Sequence, residues 1–212
     1  MAKKASKSAS KAASGKKPNK KGTTIAEIEK SLAADGAAFY AAFRKRKPKE
    51  TVYSFLFELS DVGYYAAAAI ATEEELARYI QESLDSFDED DALERAIAEW
   101  RWAGPEDGWY QSTDKQFQAT NDLLELAEES ELYPEYSGTL ETIALAALKQ
   151  MIADGVFGSD EERKKIVIGI CHTGGDNPEK LFVSWASEVN SPAVIRRLKA
   201  ELKRSRDIRR GL

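Results

Sequence analysis

The segment TVYSFLFELS, Thr51 to Ser60, is apolar or aromatic at nearly every position. A strand with one wet face alternates apolar and polar side chains, because successive side chains point to opposite faces. A β-branched and aromatic run without that alternation reads as a central strand, covered on both faces. DVG follows, and then YYAAAAIA, Tyr64 to Ala71, so the two segments form a hairpin. The alanines at 66 to 69 let another element approach the second strand closely.

The rest of the chain must cover that sheet, and its patterns are mostly helical. Thr24 and Glu27 form a capping box before Ile25, Ile28 and Leu32, which predicts a helix towards Arg46. Its basic end, Arg44 to Lys47, complements the helix dipole, and Pro48 stops it. This cluster could touch nucleic acid, but the dipole and a solvated helix end account for it without a ligand. Thr72 and Glu75 repeat the box ahead of Leu76, Tyr79, Ile80 and Leu84, and an acidic link, Asp85 to Asp91, leads to a helix over Ala92 to Trp100. That link is not a calcium loop, since Asp90 stands at the sixth position and Ala96 at the twelfth.

Asp114 is placed to cap a helix bearing Phe117, Leu123, Leu124 and Leu126, ending near Tyr133 and Pro134. Leu140, Ile143, Ala144, Ala147, Leu148 and Met151 give the clearest helical period, with Gly155 as its stop. KKIVIGIC, Lys164 to Cys171, reads as a second buried strand with HTGGDNP as its exit loop. Asn177 with Pro178, and Ser191 with Pro192, open two final helices, and the basic end KRSRDIRR is expected to fray. The expected fold is α+β: a small antiparallel sheet, made of the hairpin and the later strand, packed with several helices.

Composition sets the domain layout. Residues 1 to 21 hold eight lysines and no acid, and Met1 is their one sizeable apolar residue, so 1–22 is expected to be a disordered Lys/Ser/Ala-rich tail. Residues 23–203 then form a single globular domain and 204–212 a basic C-terminal end. Sixteen of the 31 basic residues and two of the 36 acidic ones lie in 1–21 and 196–212, which leaves the segment between them with a net charge of −19. No apolar run approaches the roughly 18 residues of a membrane span, and the N-terminus lacks a secretory pattern. A soluble, cytoplasmic protein without membrane attachment is expected.

The single cysteine, Cys171, and single histidine, His172, rule out an internal disulfide and a four-ligand Cys/His zinc site, and no cofactor is expected. The two are adjacent, but neighbours on a strand face opposite ways, which disfavours a thiol–imidazole nucleophile. Gly174 and Gly175 lie between a strand and a helix start, where main-chain amides can hold an anion, yet the spacing is neither that of a phosphate loop nor of a dinucleotide fingerprint, and Asp176 repels phosphate. The most distinctive segment is EWRWAGPEDGWY, Glu99 to Tyr110. Trp100 and Trp102 part to different sides, and Gly104, Pro105 and Gly108 turn the chain before Trp109 and Tyr110. Trp102, Trp109, Tyr110, His172 and Asp176 are the candidate interaction residues.

Read in order, the hairpin, EWRWAGPEDGWY, the helix ending in GVFGS and the strand IVIGICHTGGDNPE resemble DUF4303, a bacterial family of unknown function. The resemblance covers about Thr24 to Leu202 and implies a stand-alone cytoplasmic protein with no assigned catalytic residues. By analogy, such families resemble immunity or interaction modules of toxin systems. Three functions are thereby in contention. A non-enzymatic module would bind a basic protein partner, a nucleic-acid-associated protein would act through its basic termini, and an enzyme would use a cleft near the Trp loop and His172.

Overall fold

The computed structural model describes residues 23–60, 65–84, 93, 96–98, 101–102, 108–128, 140–172 and 178–211. Helix α1 (Ile25–Arg46) starts at the expected box. Glu27 N–H donates to Thr24 Oγ1 at 3.2 Å and Thr24 N–H donates to Glu27 Oε2 at 2.8 Å. Strand β1 (Val52–Leu59) pairs antiparallel with β2 (Ala66–Thr72), setting Phe55 opposite Ile70. Helix α2 (Glu73–Leu84) follows at once, and a short β3 (Tyr110–Gln111) lies on the outer side of β2. After a 3₁₀ turn at Asp114–Gln116 come α3 (Gln118–Glu128), α4 (Leu140–Ala153) and the single turn α5 (Asp160–Arg163). Strand β4 (Val167–His172), α6 (Pro178–Val189) and α7 (Pro192–Arg209) complete the order.

The sheet runs β3-β2-β1-β4, so β1 is an inner strand, as its unbroken apolar pattern requires. One face buries Phe55, Phe57, Leu59, Ile70, Ile168 and Ile170 beneath α1, α3 and α4. The other buries Tyr53, Leu56, Ala69 and Ala71 beneath α2, while Val167 meets α6 and α7. The α+β class therefore holds, with one change of direction. β4 was expected to join an antiparallel sheet, but it runs parallel to β1, setting Phe55 beside Ile168 and Leu59 beside His172. Helix α4 carries the chain back to the end where β1 begins, so β4 enters in the same sense. Burial on both faces is the ordinary state of parallel strands, and side-chain period carries no information on direction.

Three smaller differences have local causes. β4 extends through His172, which is thus strand and not exit loop. Thr113, rather than Asp114, provides the cap, and it opens the 3₁₀ turn before α3 begins at Gln118. The C-terminal segment remains helical to Arg209 because Val194, Ile195, Leu198, Leu202 and Ser205 are buried along it. The expected tail, the acidic link, Trp100, Gly174, Gly175 and Asp176 lie outside the described residues. No helix among the described residues is long and apolar enough to cross a membrane.

Helix ends behave as their sequence suggests. At the end of α4, Val156 N–H donates to Met151 O at 3.0 Å and Gly155 N–H to Ile152 O at 3.1 Å, with Gly155 at φ 72°. This is a Schellman closure, and the left-handed angle explains the glycine. Gly36 has a different reason. It lies within α1, where glycine costs helix stability, but a Cβ there would stand 2.7 Å from Phe57 Cζ and 3.0 Å from Met151 Sδ. The bare backbone lets α1 press against β1 and α4.

Gly36→Ala tests that contact. Overpacking costs about 1–3 kcal/mol, against a helix gain of about 0.5–1 kcal/mol, so the net effect is destabilising. The thermal midpoint is expected to fall by roughly 2–4 °C per kcal/mol lost. A midpoint equal to or above the parent's would show that Phe57 yields without cost.

Candidate functional site

The tryptophan corner is built on Tyr53, which β1 points to the α2 side. The Arg101 guanidinium lies over the Tyr53 ring at 4.3 Å, and the Tyr53 hydroxyl donates to Arg101 O at 3.1 Å. Arg101 grips both Glu73 oxygens, at 2.8 and 2.6 Å, and its Nε reaches Glu201 Oε2 at 3.3 Å. Trp102 Nε1 donates to the same Glu201 oxygen at 3.1 Å. The Trp102 ring, half-buried, meets Tyr53 edge-on at 5.6 Å and Phe182 at 5.9 Å. Trp109, 9% exposed, meets Tyr53 edge-on at 6.0 Å. Burial raises the Tyr53 hydroxyl's pKa. For Arg101 burial opposes the charge, but Glu73 and Glu201 outweigh it and the pKa rises. The corner is a stapled wall of the second core.

Tyr110, the next residue along, turns to the other side of β3 and enters a polar cluster. Its hydroxyl oxygen lies 2.9 Å from Glu50 Oε1 and 2.7 Å from Glu75 Oε2. Both carboxylates are largely shielded, their side chains 14% and 12% exposed. Glu50 also accepts from the Thr72 hydroxyl at 2.8 Å and pairs with Lys47 at 2.8 Å, while Glu75 pairs with Arg78. Lys47 Nζ stands 5.2 Å from the Tyr110 ring centroid and Phe43 packs on the ring at 5.1 Å. One phenol proton cannot serve two carboxylates, so Lys47 on Glu50 and Arg78 on Glu75 are what make the arrangement neutral.

The titration of the cluster follows. Burial and the hydrogen bond to Glu75 push the Tyr110 hydroxyl up to about 12. For Glu50, burial favours the neutral acid, but hydrogen bonds from Lys47, Thr72 and Tyr110 prevail and lower its pKa. The expected second capping box is thus divided. Glu75 N–H donates to Thr72 Oγ1 at 3.1 Å, while the Glu75 carboxylate leaves the cap for Tyr110.

His172 and Cys171 occupy opposite faces, as expected for strand neighbours. His172 stacks on Trp185 at 5.0 Å, with Nε2 3.3 Å from Glu141 Oε1, on the α4 side. Cys171 packs with the second core, and burial pushes its thiol up to about 12. A thiolate–imidazole pair is absent from this geometry. The candidate residues therefore separate: Trp102 and Trp109 share Tyr53, Tyr110 joins the carboxylates, His172 lies across the sheet, and Asp176 is outside the described residues. Among the described residues, no group of three His, Cys, Asp or Glu is placed to hold a metal ion.

Glu50, Glu75, Thr72 and Lys47 were not singled out by sequence. Their spacing is dictated by the ends of four different elements, and the only local signs were the Thr72 and Glu75 capping box and Lys47 in the basic end of α1. The architecture so defined is a mixed sheet, helix-covered on both faces, with its polar groups stapled at one end. The family model described as Domain of unknown function (DUF4303) matches residues 32–191, and the chain belongs to that family. No curated protein and no solved structure matches the chain.

Three measurements check this geometry. Tyr110→Phe strips a partner from shielded carboxylates and is expected to cost about 1–3 kcal/mol in urea unfolding. Because the Glu50 pKa is lowered on folding, its stabilisation is complete above the ordinary value of 4.5 and disappears as pH falls through the folded value. The stability gap between parent and Glu50→Gln should accordingly shrink below pH 4.5. A gap that widens there would contradict the cluster. Native Cys171 should also resist alkylation at neutral pH until the protein is unfolded; rapid native labelling would refute its burial.

Proposed function

We propose that the chain is a non-enzymatic, cytoplasmic protein-interaction module of the immunity type, whose acidic body binds a basic protein partner. The observation that carries this reading is the outer face of α3. Asp122, Glu125 and Glu128 are exposed there, Glu125 and Glu128 form no ion pair among the described residues, and Leu126 is 36% exposed beside them. Nearby Tyr65, 39% exposed, donates to Asp114 at 3.3 Å. Unpaired carboxylates with apolar anchors at their margin suit a cationic protein surface and steer its approach.

The test is affinity capture from the native host with the tagged full chain, beside an Asp122→Lys/Glu125→Lys/Glu128→Lys variant. A specific basic protein should be retained at low salt and lost near 1 M salt, where the screening length is about 3 Å. The variant should lose it at low salt too. Capture of no specific protein, or equal capture by the variant, would reject the reading.

The alternative, nucleic-acid association through the basic termini, draws support from α7, where Arg196, Lys199 and Lys203 are exposed along one side. Deleting residues 1 to 21 should then weaken DNA or RNA binding and flatten its salt dependence. Unchanged binding would remove it.

A further inference from the structure

The basic cluster at the end of α1 does more in three dimensions than neutralise a helix dipole. β1 and β4 are parallel, so both begin at the same end of the sheet, and the residues that precede them meet there. Between them lies a cavity of about 270 Å³ lined by Arg44 and Tyr40 from α1, Val52 from β1, Phe157, and Lys165 just before β4. Arg44 is held by the main chain, donating from Nη1 to Glu50 O at 2.7 Å and from Nη2 to Pro48 O at 3.4 Å. No carboxylate pairs with it or with Lys165 among the described residues. Lys45, Arg46 and Lys49 are exposed at the neighbouring helix end and turn, and they too form no ion pair among the described residues.

The two acids lining the cavity, Glu50 and Glu162, make their hydrogen bonds elsewhere, although the Glu162 pKa is lowered by its hydrogen bonds with Ser159 and then also by the charges of Arg44 and Lys165. Glu50 pairs with Lys47 at 2.8 Å, and Glu162 Oε2 accepts from Ser159 N–H and Oγ, both at 2.8 Å. The pole of an acidic molecule is thus left with cations that form no ion pair among the described residues, around a recess large enough for a phosphate group. We infer that this end of the sheet is a binding surface for the phosphate backbone of a nucleic acid, with one phosphate seated between Arg44 and Lys165.

An acidic protein fits less well. Protein interfaces need apolar anchors. The exposed large apolar side chains among the described residues are Tyr65, Leu93, Ile97, Leu126 and Leu181, and none belongs to the cavity or its rim. A phosphate backbone asks only for cations at low local cost. The inference depends on neither reading above, since it concerns the body rather than the tails and leaves the α3 face untouched.

The experiment measures fluorescence anisotropy of a labelled single-stranded DNA against the full chain and a chain lacking residues 1 to 21, each with and without Lys45→Glu/Lys49→Glu/Lys165→Glu. All three lysines are exposed, and an unchanged thermal midpoint confirms that the variants fold. In the shortened chain, the triple substitution should weaken binding at least about tenfold at 50 mM salt and lower the slope of log K against log salt by about 2, at roughly 0.7 per phosphate contact. Equal binding by the shortened chain with and without the substitutions would overturn the site, as would no binding by either at 50 mM salt. Poly-glutamate competing as well as unlabelled DNA would overturn the nucleic-acid assignment.

Discussion

Strand β1 is the shared wall of two cores, and the helices take their positions from it. Phe55 and Phe57 meet at 5.5 Å and extend on one face to Phe157 at 5.1 Å and Phe117 at 6.2 Å. Leu56, and Tyr53 by way of the register shift between Val52 and Ser54, face the other side, where Trp109 and Trp102 pack. Rings in edge-to-face contact add to the area they bury, so the strand holds both layers together through geometry as well as transfer from water. Gly36 belongs to the same constraint, because α1 can cover Phe57 only where its backbone carries no side chain.

At the end of that sheet the first turn of α2 fixes three neighbours at once. Glu73, Glu74 and Glu75 point in directions about 100° apart, as consecutive helical residues must. Glu73 takes Arg101, Glu74 accepts from Thr51 N–H and Oγ1 at 2.7 and 2.9 Å, and Glu75 takes Tyr110. Three acids at a helix N-terminus also suit the dipole, which reduces the cost of gathering them. The turn therefore ties the tryptophan corner, the start of β1 and the edge strand β3 to one helix end. Tyr110 is committed to this turn through Glu75, and Trp102 Nε1 is committed to Glu201 of α7.

What the sequence disclosed follows from how local each signal is. The box at Thr24, the period through Leu140 to Met151 and the αL stop at Gly155 depend on neighbours within a turn, and the structure reproduces them. The buried character of β1 and β4 was also legible, because an unbroken apolar run is written along each strand. Direction was not: β4 runs parallel because of where α4 delivers the chain, a fact held in no single segment. The Glu50–Tyr110–Glu75 cluster escaped for the same reason, its members standing 25 and 35 positions apart at element ends. Likewise, Arg44 and Lys165 are neighbours only after the strands are paired.

The family match ends at residue 191, just before α7, yet the fold does not end there. Glu201 of α7 is the acceptor for both Trp102 Nε1 and Arg101 Nε, and Arg197 donates to Lys164 O and Lys165 O at 2.9 and 2.8 Å. Removing α7 would leave a half-buried indole N–H without its acceptor and the main chain before β4 without its donors, each a cost of the unpaired-polar kind. Leu198 and Leu202 close the third patch of core over Val167. The basic character of this segment is therefore carried by a helix with fixed orientation. Its charges act at set positions around the acidic body.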